Sequence, residues 1–508
     1  MISKIHSFGV FGLEAYPVEI EVDVASGLPA VTLVGLTDTA IKESKERVRS
    51  AIKNSGFKWP AQRITVNLAP SDVKKEGSCF DLPIALGILA SSGQIDPEIL
   101  KNHVFLGELS LDGQVKPVRG ILAIGLSIAK SQIKNFVIPA LNSREAAMVP
   151  GLNVYPQENL KSIAQFLTAP CLTQPIPPAD GGIVSVRPDY DTDFSEVKGQ
   201  YFAKRAIEVA VAGGHNIVMI GPPGSGKTML AKRIPTIMPG LSLEETLEIA
   251  KIHSVAGNLT NKNGFMMTRP FRSPHHSISY IALSGGGNTP KPGEISLAHC
   301  GVLFLDELPE FDRKALETLR QPLEDSQICI GRLRHTATFP ACFMLVAALN
   351  PCPCGNYFNP QKTCHCRPAE IRRYLGKISG PLLDRIDIHI EVPQAKYHEL
   401  SEENEAEPSE NIRKRVEAAR SIQSKRFASG ETLLNAQMRG KTIKKYCVLD
   451  KEAREIMRMA ISELGLSARA YDKILKVGRT IADLAGSDNI FAEHISEAVQ
   501  YRGLDKFF

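Results

Sequence analysis

Eight consecutive residues, Gly221, Pro222, Pro223, Gly224, Ser225, Gly226, Lys227 and Thr228, match the pattern G-x-x-x-x-G-K-[ST]. Glycines at these spacings let the backbone fold tightly, so that several N–H groups and a helix N-terminus point at one anion. Lys227 would then reach the β- and γ-phosphates of ATP and the Thr228 hydroxyl would ligand Mg²⁺, with Met229 following on the first helical turn. Further along, the apolar run Gly301–Leu305 ends in Asp306 and Glu307. Such a pair suits the second half of the site, Asp306 holding Mg²⁺ and Glu307 polarising the attacking water. Two acids after a strand are also common as a plain helix start, so this pair takes its meaning from the phosphate loop.

Two further residues fit the same chemistry. Asn350 ends the run Leu345–Leu349, where an amide can contact the γ-phosphate or the attacking water; the other reading is a turn ahead of Pro351. Arg385, within Pro381–Asp387, could be donated across a subunit boundary to stabilise transition-state charge. Its other reading is a salt bridge to Asp384 or Asp387.

A second constellation is C-x-C-x₉-C-x-C, formed by Cys352, Cys354, Cys364 and Cys366. Four thiolates on a short loop can surround a tetrahedral Zn²⁺, and a site with four protein ligands is structural rather than catalytic. The C-x-C spacing is tighter than the usual one, and His365 is a substitute ligand. Four reduced thiols or a redox pair is the alternative. Basic residues form a third group. Arg332, Arg334 and His335 lie at the turn of Ser326–Phe339, which reads as two short strands, and Arg272 lies with Arg269, His275 and His276 in a long Gly/Pro-punctuated insertion. Such tips suit DNA phosphates, or are solvated hairpins.

These groups need elements to position them. Ile217–Ile220 reads as a buried strand before the phosphate loop and Met229–Ile234 as a helix after it. The helix Tyr201–Ala212, preceded by Val197–Gln200, comes just before. Upstream, Pro17–Val24 and Arg63–Leu68 alternate as strands, Thr39–Asn54 is a charged helix with Ile41, Val48 and Ile52 on one stripe, and Ser110–Val115 carries an Asp-Gly hairpin signal. Asp81 is placed to cap a helix running to Leu89, ending near Gly93. Beyond an acidic connector, Asn411–Phe427, Asp450–Leu464, Ser467–Leu484 and Phe491–Tyr501 are helical by pattern, with Ser467 as a cap and Arg469 in the first turn. His253, His299, His389 and His494 read as structural.

The chain has 508 residues and a formal net charge of +5, which permits nucleic-acid binding without demanding it. Charges and Gly/Pro interrupt every apolar run near the start, and no run is long enough to span a bilayer. Ten cysteines in this length fit reduced thiols or a metal better than a disulfide scaffold. A cytoplasmic protein with no membrane partner is expected.

The combination resembles the AAA+ ATPases, and closely the Mg-chelatase-like YifB/ComM family. The phrases that carry the likeness are Arg269–His276, Ser284–Gly287, Asn350–Gly355, Gly380–Asp387 and Ser467–Tyr471. Lys75–Asp81 and Gly107–Pro117 resemble the Lon-protease-like domain, of the ribosomal protein S5 domain 2 type. Aligned so, Cys79 stands at the position of Lon's catalytic serine and Leu122 at that of its lysine. Leucine cannot act as the base. The resemblance implies an α/β multidomain chain with an α+β Lon-like domain at 1–168, without peptidase activity, and the Pro- and Gly-rich polar stretch at 169–195 reads as a linker. A P-loop AAA+ αβα sandwich would follow at 196–396 with the cysteine insert at 352–366, then a flexible linker at 397–410 and a helical lid at 411–508. It further implies Arg385 as a trans-acting finger, Arg469 as a second sensor arginine, and a hexameric ring. Some family members are implicated in DNA branch migration during natural transformation. The expected function is an ATP-driven motor or helicase on single-stranded or branched DNA. A chelatase-like motor acting on a protein partner is the alternative, and an ATP-dependent peptidase a more remote one.

Overall fold

Period-two burial along Glu14–Ala25, with Val18, Ile20, Val22 and Val24 inward, makes this segment a half-buried strand. It belongs to a seven-stranded mixed sheet in a computed structural model that describes residues 2–35, 39–71, 75, 77–169, 173–177, 190–259, 268–287, 290–331, 336–359, 362–394, 406–427, 434–464, 467–505 and 507. In chain order the strands are β1 (Ile2–Phe11), β2 (Glu14–Ala25), β3 (Ala30–Val34), β4 (Arg63–Ala69) and β5 (His103–Phe105). The small hairpin β6 (Glu108–Leu109) and β7 (Val115–Lys116) follows, then β8 (Asn135–Pro139) and β9 (Asn153–Gln157). The sheet order is β3-β4-β2-β1-β5-β8-β9, with β1–β2 and β2–β4 antiparallel and the other pairs parallel. Helix Thr39–Asn54 buries Ile41, Val48 and Ile52 as its stripe requires. Gly113, with φ 85°, closes the turn between β6 and β7 at the Asp-Gly pair.

Asp81 departs from its expected role. The helix is Asp81–Ser91 with Phe80 at its N-cap, so Asp81 is the first helical residue. Its carboxylate is fully buried, bound by Arg47 Nε at 2.8 Å, the Ser44 hydroxyl and the Leu109 N–H at 3.3 Å. A tertiary ion pair has taken the side chain that the sequence offers as a cap.

The second sheet is all-parallel. Its strands are drawn from β10 (Ile217–Ile220), β11 (Phe271–Arg272), β14 (Val302–Leu305), β17 (Met344–Leu349) and β18 (Ile388–Glu391), in the order β11-β14-β17-β10-β18. Two separate antiparallel pairs, β12 (Gly285–Gly286) with β13 (Lys291–Pro292) and β15 (Gln327–Gly331) with β16 (Thr336–Pro340), are not part of it. Every residue of β10, β14 and β17 is buried, as in a sheet covered on both faces. Helices Tyr201–Gly213 and Lys227–Ile237 lie against it.

Five helices of the last hundred residues, Ser409–Arg426, Lys441–Tyr446, Lys451–Leu464, Ala468–Leu484 and Ala492–Gln500, form a C-terminal group. Ile412, Ile474 and Ile481 share one core with Val209 and Ile217. The first of these helices starts at Ser409, inside the segment expected to be a linker. The Asp193 carboxylate accepts the Ser409 N–H at 3.2 Å, and the Ser409 hydroxyl accepts the Phe194 N–H at 2.8 Å, which fixes that start. Much of the 169–195 segment, and residues 395–405, lie outside the described residues, as does the 332–335 tip with Arg332, Arg334 and His335.

The seven-stranded sheet docks on the second through helix Ile121–Ile128, which packs against helix Leu243–Ala256. Gly120 N–H donates to the Ser254 carbonyl at 3.2 Å, and Glu145 accepts the Ser254 hydroxyl, the Leu122 N–H at 2.9 Å and the Asn142 amide at 3.3 Å. Leu122 is therefore buried at the junction, and Cys79 is half-buried against the two cores of the first sheet.

Candidate nucleotide site

The loop after β10 turns sharply because Gly224 and Gly226 adopt φ of 77° and 92°, values open to glycine and costly for other residues. No atom lies within 4 Å of where a Cβ would stand at either, so the space over the loop is open. At Gly221 a Cβ would stand 2.1 Å from the Val392 carbonyl, which leaves glycine as the residue that fits. The Ser225 hydroxyl is buried with no hydrogen-bond partner among the described residues, and Lys227 is buried just behind it. An orphaned donor, a buried ammonium and open space beside a helix N-terminus are what a polyphosphate would complete.

Lys227 Nζ donates to the carbonyls of Gly221 at 2.7 Å and Pro222 at 3.0 Å, and to Asn350 Oδ1 at 3.3 Å. Burial pulls its pKa down to about 8, against the opposing pull of Asp306 and Glu307. Thr228 Oγ1 donates to Asp306 Oδ2 at 2.7 Å. β17 lies between β14 and β10, so the strand order brings the ends of all three to one edge: Asn350, the two acids and the phosphate loop converge there. This is where ligands bind open α/β sheets, beyond the carboxyl ends of the strands. Gln200, itself at φ 56°, ties the loop to the end of β18 by donating to the Pro393 carbonyl at 2.6 Å and to that of Ser225 at 3.4 Å. Met229 is exposed beside it.

Glu307 also sits at positive φ, 54°, and His276 Nδ1 lies 3.4 Å from its Oε2. The rings of His275 and His276 lie tilted against each other, with centroids 4.0 Å apart. The phrase Arg269–His276 had marked these histidines as notable, but nothing in the spacing pairs one of them with the acid. Arg272 is engaged within the fold, its guanidinium bidentate to Glu294 at 2.6 and 2.7 Å, so it is not presented as a free surface cation. Arg269 likewise binds Glu245 and the carbonyls of Pro239 and Cys300.

Arg385 pairs neither with Asp384 nor with Asp387. Its Nη2 meets the Glu324 carboxylate and its Nη1 donates to the Pro381 carbonyl at 2.6 Å. Asp387 is buried and holds Lys473, the Asn216 N–H at 3.1 Å and His215 at 3.3 Å, while His215 reaches Thr480 at 2.8 Å. This polar chain links the end of β10's approach to helix Ala468–Leu484. Burial works to raise the Asp387 pKa, yet Lys473 and His215 hold it far below the usual carboxylate range. Ser467 caps that helix through the Ala470 N–H at 3.2 Å, and Arg469 is exposed with Nη1 3.5 Å from Asp384.

The four cysteines converge. Cys352 Sγ is 3.4 Å from Cys354 Sγ and 3.7 Å from Cys364 Sγ, Cys354 and Cys364 are 3.7 Å apart, and all four sulfurs including that of Cys366 lie within 4.8 Å of one another. Tetrahedral Zn²⁺ with bonds of about 2.3 Å spaces its sulfurs about 3.8 Å apart, so the set fits that ion. The histidines read as structural are all engaged: His253 with the Leu297 carbonyl, His299 with Glu248 and the Cys342 N–H, His389 with Asp505, and His494 with the Phe491 N–H.

A parallel sheet with a phosphate loop and an acid pair at one edge defines a P-loop nucleotide-binding fold, and the comparisons place it among magnesium-chelatase-type AAA+ ATPases. Family models match in three stretches: magnesium chelatase, subunit ChlI, over residues 193–400; subunit ChlI of Mg-chelatase over 20–142; and the ChlI C-terminal model over 406–502. The chain is 44% identical to competence protein ComM of Haemophilus influenzae, covering 99% of this chain and 98% of that protein. It is 42% identical to YifB of Salmonella typhimurium, again over 99% and 98%. The chain belongs to the ComM/YifB family of magnesium-chelatase-like proteins. One stretch of 141 residues is also 26% identical to Lon protease 2 of Bacillus subtilis, covering 27% of this chain and 26% of that protein. Among the described residues, no helix is long and apolar enough to cross a membrane.

Proposed function

We propose that this chain hydrolyses ATP with Mg²⁺ and uses the energy to move DNA, single-stranded or branched, as a branch-migration or helicase-type factor. Lys227 and the loop N–H groups would hold the phosphates, and Thr228 with Asp306 would hold Mg²⁺. Glu307 would act on water, Asn350 would sense the γ-phosphate, and Arg385 and Arg469 would complete a site shared between subunits of a ring, a hexamer. The observation that carries the ATP reading is the hydrogen bond between Thr228 and Asp306, the two groups that share one Mg²⁺ in such sites. The DNA reading is supported by 44% identity along the whole chain to a protein named for competence. The Lon-like portion is proposed as a scaffold, since Leu122 is buried where a base would be needed.

A second reading, a motor that remodels a protein partner, is favoured by the magnesium-chelatase matches and by the use of Arg272 and Arg269 within the fold. ATP hydrolysis by the purified protein, alone and with single-stranded, duplex, forked and four-way-junction DNA, separates the two. Stimulation by branched or single-stranded DNA, absent in Lys227→Ala and Arg385→Ala, is expected. Hydrolysis indifferent to every DNA would sink the DNA reading in favour of the protein partner.

A further inference from the structure

The cysteine loop touches the phosphate loop directly. Gly355 stands at φ 78°, and a Cβ there would lie 2.5 Å from Cδ of Pro223, so the Gly355 backbone sits against the Pro223 ring with no room for a side chain. The same loop opens on Asn350, whose Oδ1 accepts from Lys227, and Cys352 is fully buried in the core beneath. The chain's C-terminal tail also reaches this loop. Tyr501 leaves the last helix with its carbonyl accepting the His389 N–H at 2.8 Å, and Arg502 donates to the Ile386 carbonyl at 2.7 Å. Phe507 then packs on Tyr357 and Phe358, with ring centroids 5.7 and 4.9 Å apart. Gly355 therefore meets the phosphate loop, while Tyr357 and Phe358, two and three residues on, meet the tail.

We propose that the four cysteines bind Zn²⁺ and that the zinc-closed loop is the buttress that holds the phosphate loop in its nucleotide-receptive shape through the Gly355–Pro223 contact. This rests on the ATP reading above. Between its two Cys pairs the loop has no helix or strand among the described residues, so its shape depends on packing and on cross-links, and four Zn–S bonds supply the cross-links. Without the ion, four crowded thiols separate, Gly355 withdraws, and Pro223 and the N–H groups behind it lose the surface they rest on. The metal takes no part in hydrolysis. Its effect is on how well the loop receives a phosphate.

The test measures zinc by elemental analysis and nucleotide affinity by titration with a fluorescent ADP analogue, on the full chain. Wild type is expected to hold one zinc per chain. The double variant Cys354→Ser with Cys364→Ser is expected to hold none and to bind the analogue at least tenfold more weakly. Gly355→Ala is expected to keep its zinc yet lose affinity by a similar factor, because the methyl group displaces Pro223. Wild-type protein isolated without zinc, or a Gly355→Ala chain with unchanged affinity, overturns the proposal even where the serine variant does not fold. Wild type that binds nucleotide, with both variants matching it, overturns this proposal and leaves the ATP reading standing. Wild type that holds zinc but binds no nucleotide overturns both.

Discussion

The hydroxyl of Thr228 donates a 2.7 Å hydrogen bond to Oδ2 of Asp306, a residue 78 positions further along the chain. Glu307 is next in sequence, but its backbone turns to φ 54° and carries its carboxylate away from that pair, toward His276. Asp306 faces Thr228 and Glu307 faces His276, so, on the roles proposed for them, the two should fail differently. Thr228→Ala and Asp306→Ala are expected to weaken Mg²⁺-dependent ATP binding. Glu307→Gln is expected to keep binding and lose about 10²- to 10⁴-fold in turnover. Equilibrium binding beside steady-state hydrolysis checks this. Equal loss of binding in all three would contradict the division of roles.

Lys227 makes the site sensitive to alkali. Burial lowers its pKa from 10.5 to about 8 in the folded chain. Between those values the unfolded chain holds a proton that the folded chain has released, so the contribution of this group to stability rises with pH across that window. Nucleotide affinity runs the other way, because phosphates favour the charged ammonium. Affinity for ADP is expected to fall as pH rises above about 8, with proton uptake on binding. Calorimetry in buffers of different ionisation enthalpy reads that uptake directly. Lys227→Arg should abolish the uptake, since arginine keeps its proton throughout.

Arg385 is held within its own chain by Glu324 and the Pro381 carbonyl. A finger that serves a neighbour's site must exchange the first partner for a phosphate. Arg385→Ala is expected to bind nucleotide normally and to lose about 10³-fold or more in turnover. Mixing it with Lys227→Ala protein should restore measurable hydrolysis, since each variant brings the half that the other lacks. Mixtures as inactive as their components would place Arg385 in a site within one chain.

Glu145 and Ser254 meet at the junction of the two sheets through a partly buried hydrogen bond. Glu145→Ala strands the Leu122 N–H as well as the Ser254 hydroxyl, so a loss of about 1–3 kcal/mol is expected, and Ser254→Ala should cost less. Thermal unfolding of the two single variants and the double variant gives the coupling, expected at about 0.5–3 kcal/mol. Additive losses would mean that the contact does not hold the units together.

What the sequence alone determined is whatever depends on neighbours in the chain. The phosphate loop is legible because its glycines, lysine and threonine are contiguous, and strands such as β2 and β10 because burial on one face or both writes itself into the order of residues. The cysteine cluster is legible for the same reason, as two C-x-C pairs on one loop. Tertiary structure decided which distant side chains share a partner. Asp81, read as a cap, is taken by Arg47; Arg272, offered as a DNA-contacting residue, is paired with Glu294; and Arg385 is taken by neither aspartate beside it but by Glu324. The meetings of His276 with Glu307, Gly355 with Pro223 and Glu145 with Ser254 follow from strand order and helix docking. The reason is geometric: spacing along a chain sets which residues share a face of one element, and says nothing of the distance between faces until the elements have packed.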